Sequence, residues 1–313
     1  MILFIKKTIL FLLILFILLN ILLFLTASEN DFIGGIKLKH RLLRNVDSPR
    51  IILIGGSGVG YSVDSELITS RTGKYTINMG LFAQFGLRYM LADVKEDVKD
   101  SDIVIISPEY HQFYYFLDGW RGFNELIYIN PKFVLNITHA NQVKNIVKFF
   151  PRFFLGKVKS IRGYLDQMFS NDEREVIYNE HGDHISHLNK ERVFDINRLG
   201  LFHDFVSTSK QKFNPDSIRV LNEFYTEMTK KGANVFFLYP TIPQPQFQKY
   251  NKYIREVYEK LQFDLEMPVL SNPENEIQPI EDFYNTIYHL RADGREAKTK
   301  RLIQYLINEG IAG

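Results

Sequence analysis

The chain of 313 residues contains no cysteine. Structural disulfides, thiolate-ligated zinc and a cysteine nucleophile are thereby excluded. It also lacks an excess of one charge. Its 38 Lys and Arg stand against 36 Asp and Glu, so no basic field argues for nucleic acid as a partner. No Pro/Gly/Ser-rich linker divides the length into two domains, and no internal repeat occurs. Aromatics are plentiful, with 26 Phe and 17 Tyr. They suit a packed core, and also a sugar-binding or membrane-proximal surface.

The first positive feature is a long apolar run. Thr8 to Thr26 reads TILFLLILFILLNILLFLT, with only Thr8, Asn20 and Thr26 polar. At about 1.5 Å per residue a helix of this length spans roughly 28 Å, close to the ~30 Å hydrocarbon core of a bilayer. Lys6 and Lys7 precede it, and Glu29 and Asp31 follow. The positive-inside rule keeps the N-terminus cytoplasmic and carries the rest to the extracytoplasmic side. A cleaved signal peptide is the rival. Its apolar region is shorter, about 7–15 residues, and ends in a small-residue site that Leu25-Thr26-Ala27 matches poorly. Residues 1–26 are therefore expected to form an uncleaved transmembrane anchor, with the lipid bilayer as partner.

After a basic connector at 27–49, residues 50–313 predict one α/β domain. Arg50–Ile54, Asp102–Ser107 and Ala233–Tyr239 are short apolar, β-branched or aromatic runs that read as buried strands, and Tyr75–Met79 adds another. Helical stretches near 65–72, 86–99, 214–231, 249–261 and 292–309 alternate with them, and Met267–Leu270 allows one more short strand. Such alternation implies a mostly parallel sheet covered on both faces. In the closing helix, Asp293 followed by Glu296 resembles a capping box with Asp as the cap. An aromatic, partly helical segment at about 112–205 interrupts the pattern as an insertion over one end of the sheet.

Chemistry concentrates after the first strand, in Gly55-Gly56-Ser57-Gly58-Val59-Gly60-Tyr61-Ser62. Open α/β sheets bind ligands at the carboxyl ends of their strands. Gly55 and Gly60 have phosphate-loop spacing, but the lysine that would meet the phosphates is replaced by Tyr61. The α/β-hydrolase elbow fails as well, because Val59 stands at its second glycine. What remains is a serine directly after the first strand.

That arrangement resembles the first block of the SGNH, or GDSL-like, hydrolases, with Ser57 in the nucleophile's place. The continuation from Ser62 to Ile68 is similar to the membrane-linked branch of that superfamily, which includes accessory proteins of polysaccharide O-acetylation and of teichoic acid D-alanylation. Ile77-Asn78-Met79-Gly80-Leu81 resembles the second block, and Phe283-Tyr284-Asn285-Thr286-Ile287-Tyr288-His289-Leu290 the last. The resemblance covers roughly 50–110 and 215–313. It implies a flavodoxin-like three-layer sandwich without a cofactor. Ser57 would be the nucleophile and His289 the general base, with the amides of Ser57 and Gly80 in the oxyanion hole.

Two positions depart from the family. Asn285 stands where an Asp orients the histidine, and Asp282 is the candidate substitute. Glu109 stands where an Asn side chain is expected in the oxyanion hole, and would set a negative charge beside a developing oxyanion. Glu109 and Tyr110 after the third strand, and Asp183 and His187 from the insertion, are expected to line the substrate cleft. No trusted zinc spacing occurs among His181, Asp183, His184 and His187, so no metal is expected. The cluster Tyr110, Phe113, Tyr114, Tyr115, Phe116 and Trp120 is read as core, with sugar stacking as the alternative. The resemblance thus predicts an esterase or O-acyltransferase acting on envelope or exported polysaccharide. Its partners would be a glycan or acyl donor and a membrane-bound O-acyltransferase. The other reading is a catalytically silent domain that binds glycan or partners such an acyltransferase.

Overall fold

The computed structural model describes residues 1–25, 35–120, 122–129, 131–168, 177–191 and 212–311. Residues 26–34, which hold the end of the expected anchor and the start of the expected connector, lie outside that set. So do 169–176 and 192–205 of the expected insertion.

Helix α1 spans Ile2–Leu25. Within it, Leu3–Ile21 is long and apolar enough to cross a membrane, and none of this span is fully buried, although Leu19 packs on the rest of the chain. The stretch expected to be a connector folds instead. Helix α2, Gly35–Asn45, buries Ile36, Lys39, His40 and Leu43. These positions recur every three or four residues, so one helical face is inward despite the basic composition. Arg50 fastens the end of this helix to the sheet. Its guanidinium donates to Val46 O at 2.7 Å and pairs with the buried Asp102 at 3.2 Å.

Strands β1 (Ile51–Gly55), β2 (Thr76–Asn78), β3 (Ile103–Ser107) and β4 (Asn234–Phe237) form a parallel four-stranded sheet in the order β2-β1-β3-β4. Side chains alternate across it with period two. Ile52, Ile54, Val104, Ile106, Val235 and Phe237 enter one core, together with residues of α5 (Leu87–Val94), α8 (Asp216–Lys230) and α10 (Asn251–Asp264). Ile51, Leu53, Ile103, Ile105, Phe236 and Leu238 enter the other, with α3 (Ser57–Ser62), α4 (Ser65–Thr72) and α11 (Ala292–Asn308). Burial on both faces explains why the strands read as unbroken apolar runs.

The predicted strand at 267–270 reduces to a single parallel bridge from Val269 to Phe237 beside β4. Asp293 is not the cap of α11. The cap position is Arg291, whose amide donates to Asp282 O at 2.7 Å, so Asp293 falls within the first turn. Its charge there still suits the helix N-terminus. The described part of the insertion contains α6 (Phe123–Ile129) and the long α7 (Ala140–Met168), which pack on each other. A second pair of very short strands, β5 (Ile242–Pro243) and β6 (Ile277–Gln278), with α9 (Gln244–Lys249) after the first, completes the described regular structure.

Candidate active site

The chain runs from β1 outward to β2 and returns past β1 to β3. The carboxyl ends of β1 and β3 therefore flank the point where the strand order reverses, the usual ligand crevice of such a sheet. Ser57 follows β1 there, and Glu109 follows β3.

Ser57 is the first residue of the short helix α3. Its hydroxyl donates to Glu109 Oε1 at 3.2 Å, and the Gly58 amide donates to the same oxygen at 2.9 Å. His111 Nε2 lies 3.1 Å from the other carboxylate oxygen. Glu109 is buried. Burial would raise its carboxyl, but His111, the Gly58 amide and His289 together hold it below the usual range. The side chain is thus an ionised carboxylate fixed on the serine. It has not turned away from it.

His289 enters from the segment before α11. Its Nδ1 meets Asn285 Oδ1 at 2.8 Å. Because that oxygen only accepts, the proton sits on Nδ1, and Nε2 carries the lone pair a general base needs. Nε2 is buried and has no hydrogen-bond partner among the described residues. Burial pushes the imidazole down to about 3, against the pull of Glu109, so the ring is neutral near pH 7. Among the described residues Ser57 and His289 share no hydrogen bond; Ser57 bonds Glu109, whereas His289 only feels its charge. A Cβ placed on Gly58 would come within 3.3 Å of Tyr288 Cβ, so the two segments touch.

The histidine is held by Tyr61 and Ser62, to which the sequence had assigned no role in the site. Tyr61 stacks flat on His289, with centroids 3.9 Å apart and planes 3° apart. The other face of the same ring stacks on His184 at 3.9 Å. Ser62 clasps the backbone on either side of His289, donating to Tyr288 O at 2.7 Å and accepting from Leu290 N at 2.9 Å. Burial raises the Tyr61 phenol to about 12, so the ring stays neutral.

The remaining predicted residues lie elsewhere in function. The Gly80 amide donates to Asn78 Oδ1 at 2.9 Å and is already engaged. Asp282 has no bond to His289 among the described residues. It lies against Gly294 at the start of α11, and burial with Asp293 and Glu281 raises its carboxyl. Tyr110 is a core residue, and burial raises its phenol far above the ordinary value. Asp183 is a buried structural hub. It accepts from the Ser65 amide at 2.9 Å, the Ser65 hydroxyl at 2.6 Å, Asn78 at 2.7 Å, Asn179 at 3.1 Å and Arg295 at 2.8 Å. His187 Nε2 bonds Leu290 O at 2.9 Å, and burial pushes its imidazole to about 4. Tyr110, Asp183 and His187 therefore tie elements together rather than line an open cleft. Among the described residues no group of three or more His, Asp or Glu side chains could hold a metal ion.

Comparison with protein-family models and with curated proteins finds no match, so the site's own chemistry carries the functional reading.

Proposed function

We propose that the chain is a membrane-anchored, extracytoplasmic SGNH-like serine esterase or O-acyltransferase that acts on envelope or exported polysaccharide through Ser57. The strand order β2-β1-β3-β4, with Val269 bridging beyond β4, is consistent with the flavodoxin-like order. The apolar span Leu3–Ile21 suits the anchor. The observation that carries the catalytic reading is the His289–Asn285 contact, which presents an unpartnered Nε2 lone pair beside the Ser57 loop.

In this reading a bound ester draws the Ser57 hydroxyl away from Glu109 and toward His289. His289 Nε2 takes the proton as Oγ attacks the acyl carbonyl. The imidazolium then protonates the departing alkoxide, leaving an acyl-Ser57. A sugar hydroxyl or water, deprotonated by His289, releases the acyl group. Asn285 sets the tautomer but has no charge to stabilise the imidazolium. Glu109 supplies that charge from the other side, since its carboxylate raises the His289 basicity.

The silent reading draws on one observation: Glu109 already holds the Ser57 hydroxyl and the neighbouring Gly58 amide. Turnover of a chromogenic acetyl ester by the full chain separates the two. Measurable hydrolysis that falls at least about a hundredfold in Ser57→Ala and in His289→Ala supports catalysis. Hydrolysis unchanged in both variants removes Ser57 and His289 from any catalytic role.

A further inference from the structure

Helix α7 has three faces. Gln142, Asn145, Phe149 and Phe153 turn toward the domain. Asn145 donates to Gly119 O at 2.8 Å, Phe149 meets Trp120 edge-on at 5.5 Å, and Gln142 and Phe153 are buried. A second face is apolar and exposed. Val143 is 51%, Val147 68%, Leu155 59% and Val158 40% accessible, and the half-buried Phe150 and Phe154 border it. The third is basic, with Lys144, Lys148, Arg152 and Lys159 exposed. Over its whole length the helix has one acidic residue, Asp166.

An exposed apolar stripe beside a basic stripe is the pattern of a helix lying in a membrane interface. The position of α7 agrees with that pattern. Phe150, Phe153 and Phe154 form one cluster with Leu19 of α1. Leu19 is six residues short of Leu25, where α1 and its apolar run end, a depth of about 9 Å along the helix. The contact therefore sets α7 near the end of that run, within the roughly 5–10 Å that an interfacial helix reaches into the bilayer.

We infer that α7 is an interfacial helix that beds Val143, Val147, Leu155 and Val158 into the bilayer surface and meets anionic phospholipid headgroups with Lys144, Lys148, Arg152 and Lys159. This rests on reading α1 as the membrane anchor. It adds a second, lateral attachment that fixes how the domain sits over the bilayer and how far the Ser57 crevice stands from it.

The absence of cysteine makes the test direct, because each introduced cysteine is unique. Full-length Val147→Cys, Lys148→Cys and Leu12→Cys carry a spin label and are reconstituted in phosphatidylcholine vesicles with or without about one-third phosphatidylglycerol. Collision with oxygen against a water-soluble relaxant reports depth. The Leu12 label reports the anchor independently. The expected result is a deep Leu12 label, a shallow lipid-exposed Val147 label and an aqueous Lys148 label. Val147 protection should fall when Lys144, Lys148 and Arg152 are replaced by Glu, or when the anionic lipid is omitted. A deep Leu12 label with a fully aqueous Val147 label overturns the α7 inference while the anchor stands, and points to a protein partner on that face. A water-exposed Leu12 label overturns the anchor and the inference with it. Val147 burial that ignores both lipid charge and the Glu replacements overturns the headgroup half.

Discussion

In the proposed mechanism Glu109 is the residue on which the chemistry turns. From sequence it was a liability, a negative charge in an oxyanion position. Its contacts show two opposed effects. It lies 3.2 Å from the Ser57 hydroxyl oxygen and 2.9 Å from the Gly58 amide, where it would oppose negative charge. It also supports an imidazolium on His289. Electrostatic energy falls with distance, and the bonded contact with Ser57 is the closer one, so repulsion of the oxyanion dominates. Glu109→Gln is therefore expected to accelerate acylation of Ser57, by about tenfold for a change of about 1.4 kcal/mol in the barrier. Burst kinetics with an activated acetyl ester measure it. A slower burst would make Glu109 principally the partner of His289. Ser57, His289 and Asn285 were legible because each sits in a short local motif. Tyr61, Ser62 and Asn78 were not, because their partners come from distant sequence: Ser62 meets Leu290 across 228 positions. Spacing rules carry no information at that range.

At the scale of elements, the site depends on how closely the β1 and β2 loops approach. A Cβ on Gly80 would lie 2.3 Å from Gly60 N and 2.8 Å from Asn78 Oδ1, and backbone cannot yield as a side chain can. Gly73, by contrast, has φ +67° and open space around it. Gly80→Ala is expected to cost about 3 kcal/mol by overpacking, and Gly73→Ala about 1 kcal/mol by backbone strain alone. Denaturant unfolding of the two variants checks the order, and equal losses would deny the close approach. The strands were legible because burial on both faces leaves continuous apolar runs. Helix α2 was hidden by its own lysines and arginines. Its inward Lys39 is held by Asn78 O at 2.7 Å and the Gly182 carbonyl, and burial lowers that ammonium to about 7. A cation inside the fold is not something composition reveals.

For the molecule as a whole, neutral buried histidines set the response to acid. Burial lowers His184 to about 3 and His187 to about 4, and His289 shifts the same way. Unfolded, each would titrate near 6.5. Between these limits the unfolded chain binds more protons, so stability rises with pH. The stabilisation is complete above about pH 6.5 and is lost as pH falls through about 4 and 3. With these three groups engaged the slope is at most about 4 kcal/mol per pH unit near pH 5. Urea unfolding of the detergent-solubilised chain between pH 7 and 4.5 measures it, and a flat profile would contradict neutral burial of His184 and His187. In the proposed mechanism the same neutral ring lets His289 act as the base. The most direct measurement is mass spectrometry of the folded full-length chain after treatment with a fluorophosphonate. A single adduct on Ser57, absent in His289→Ala, is the expected result. Folded chain with no adduct, or with the adduct on another serine, would contradict Ser57 as the nucleophile.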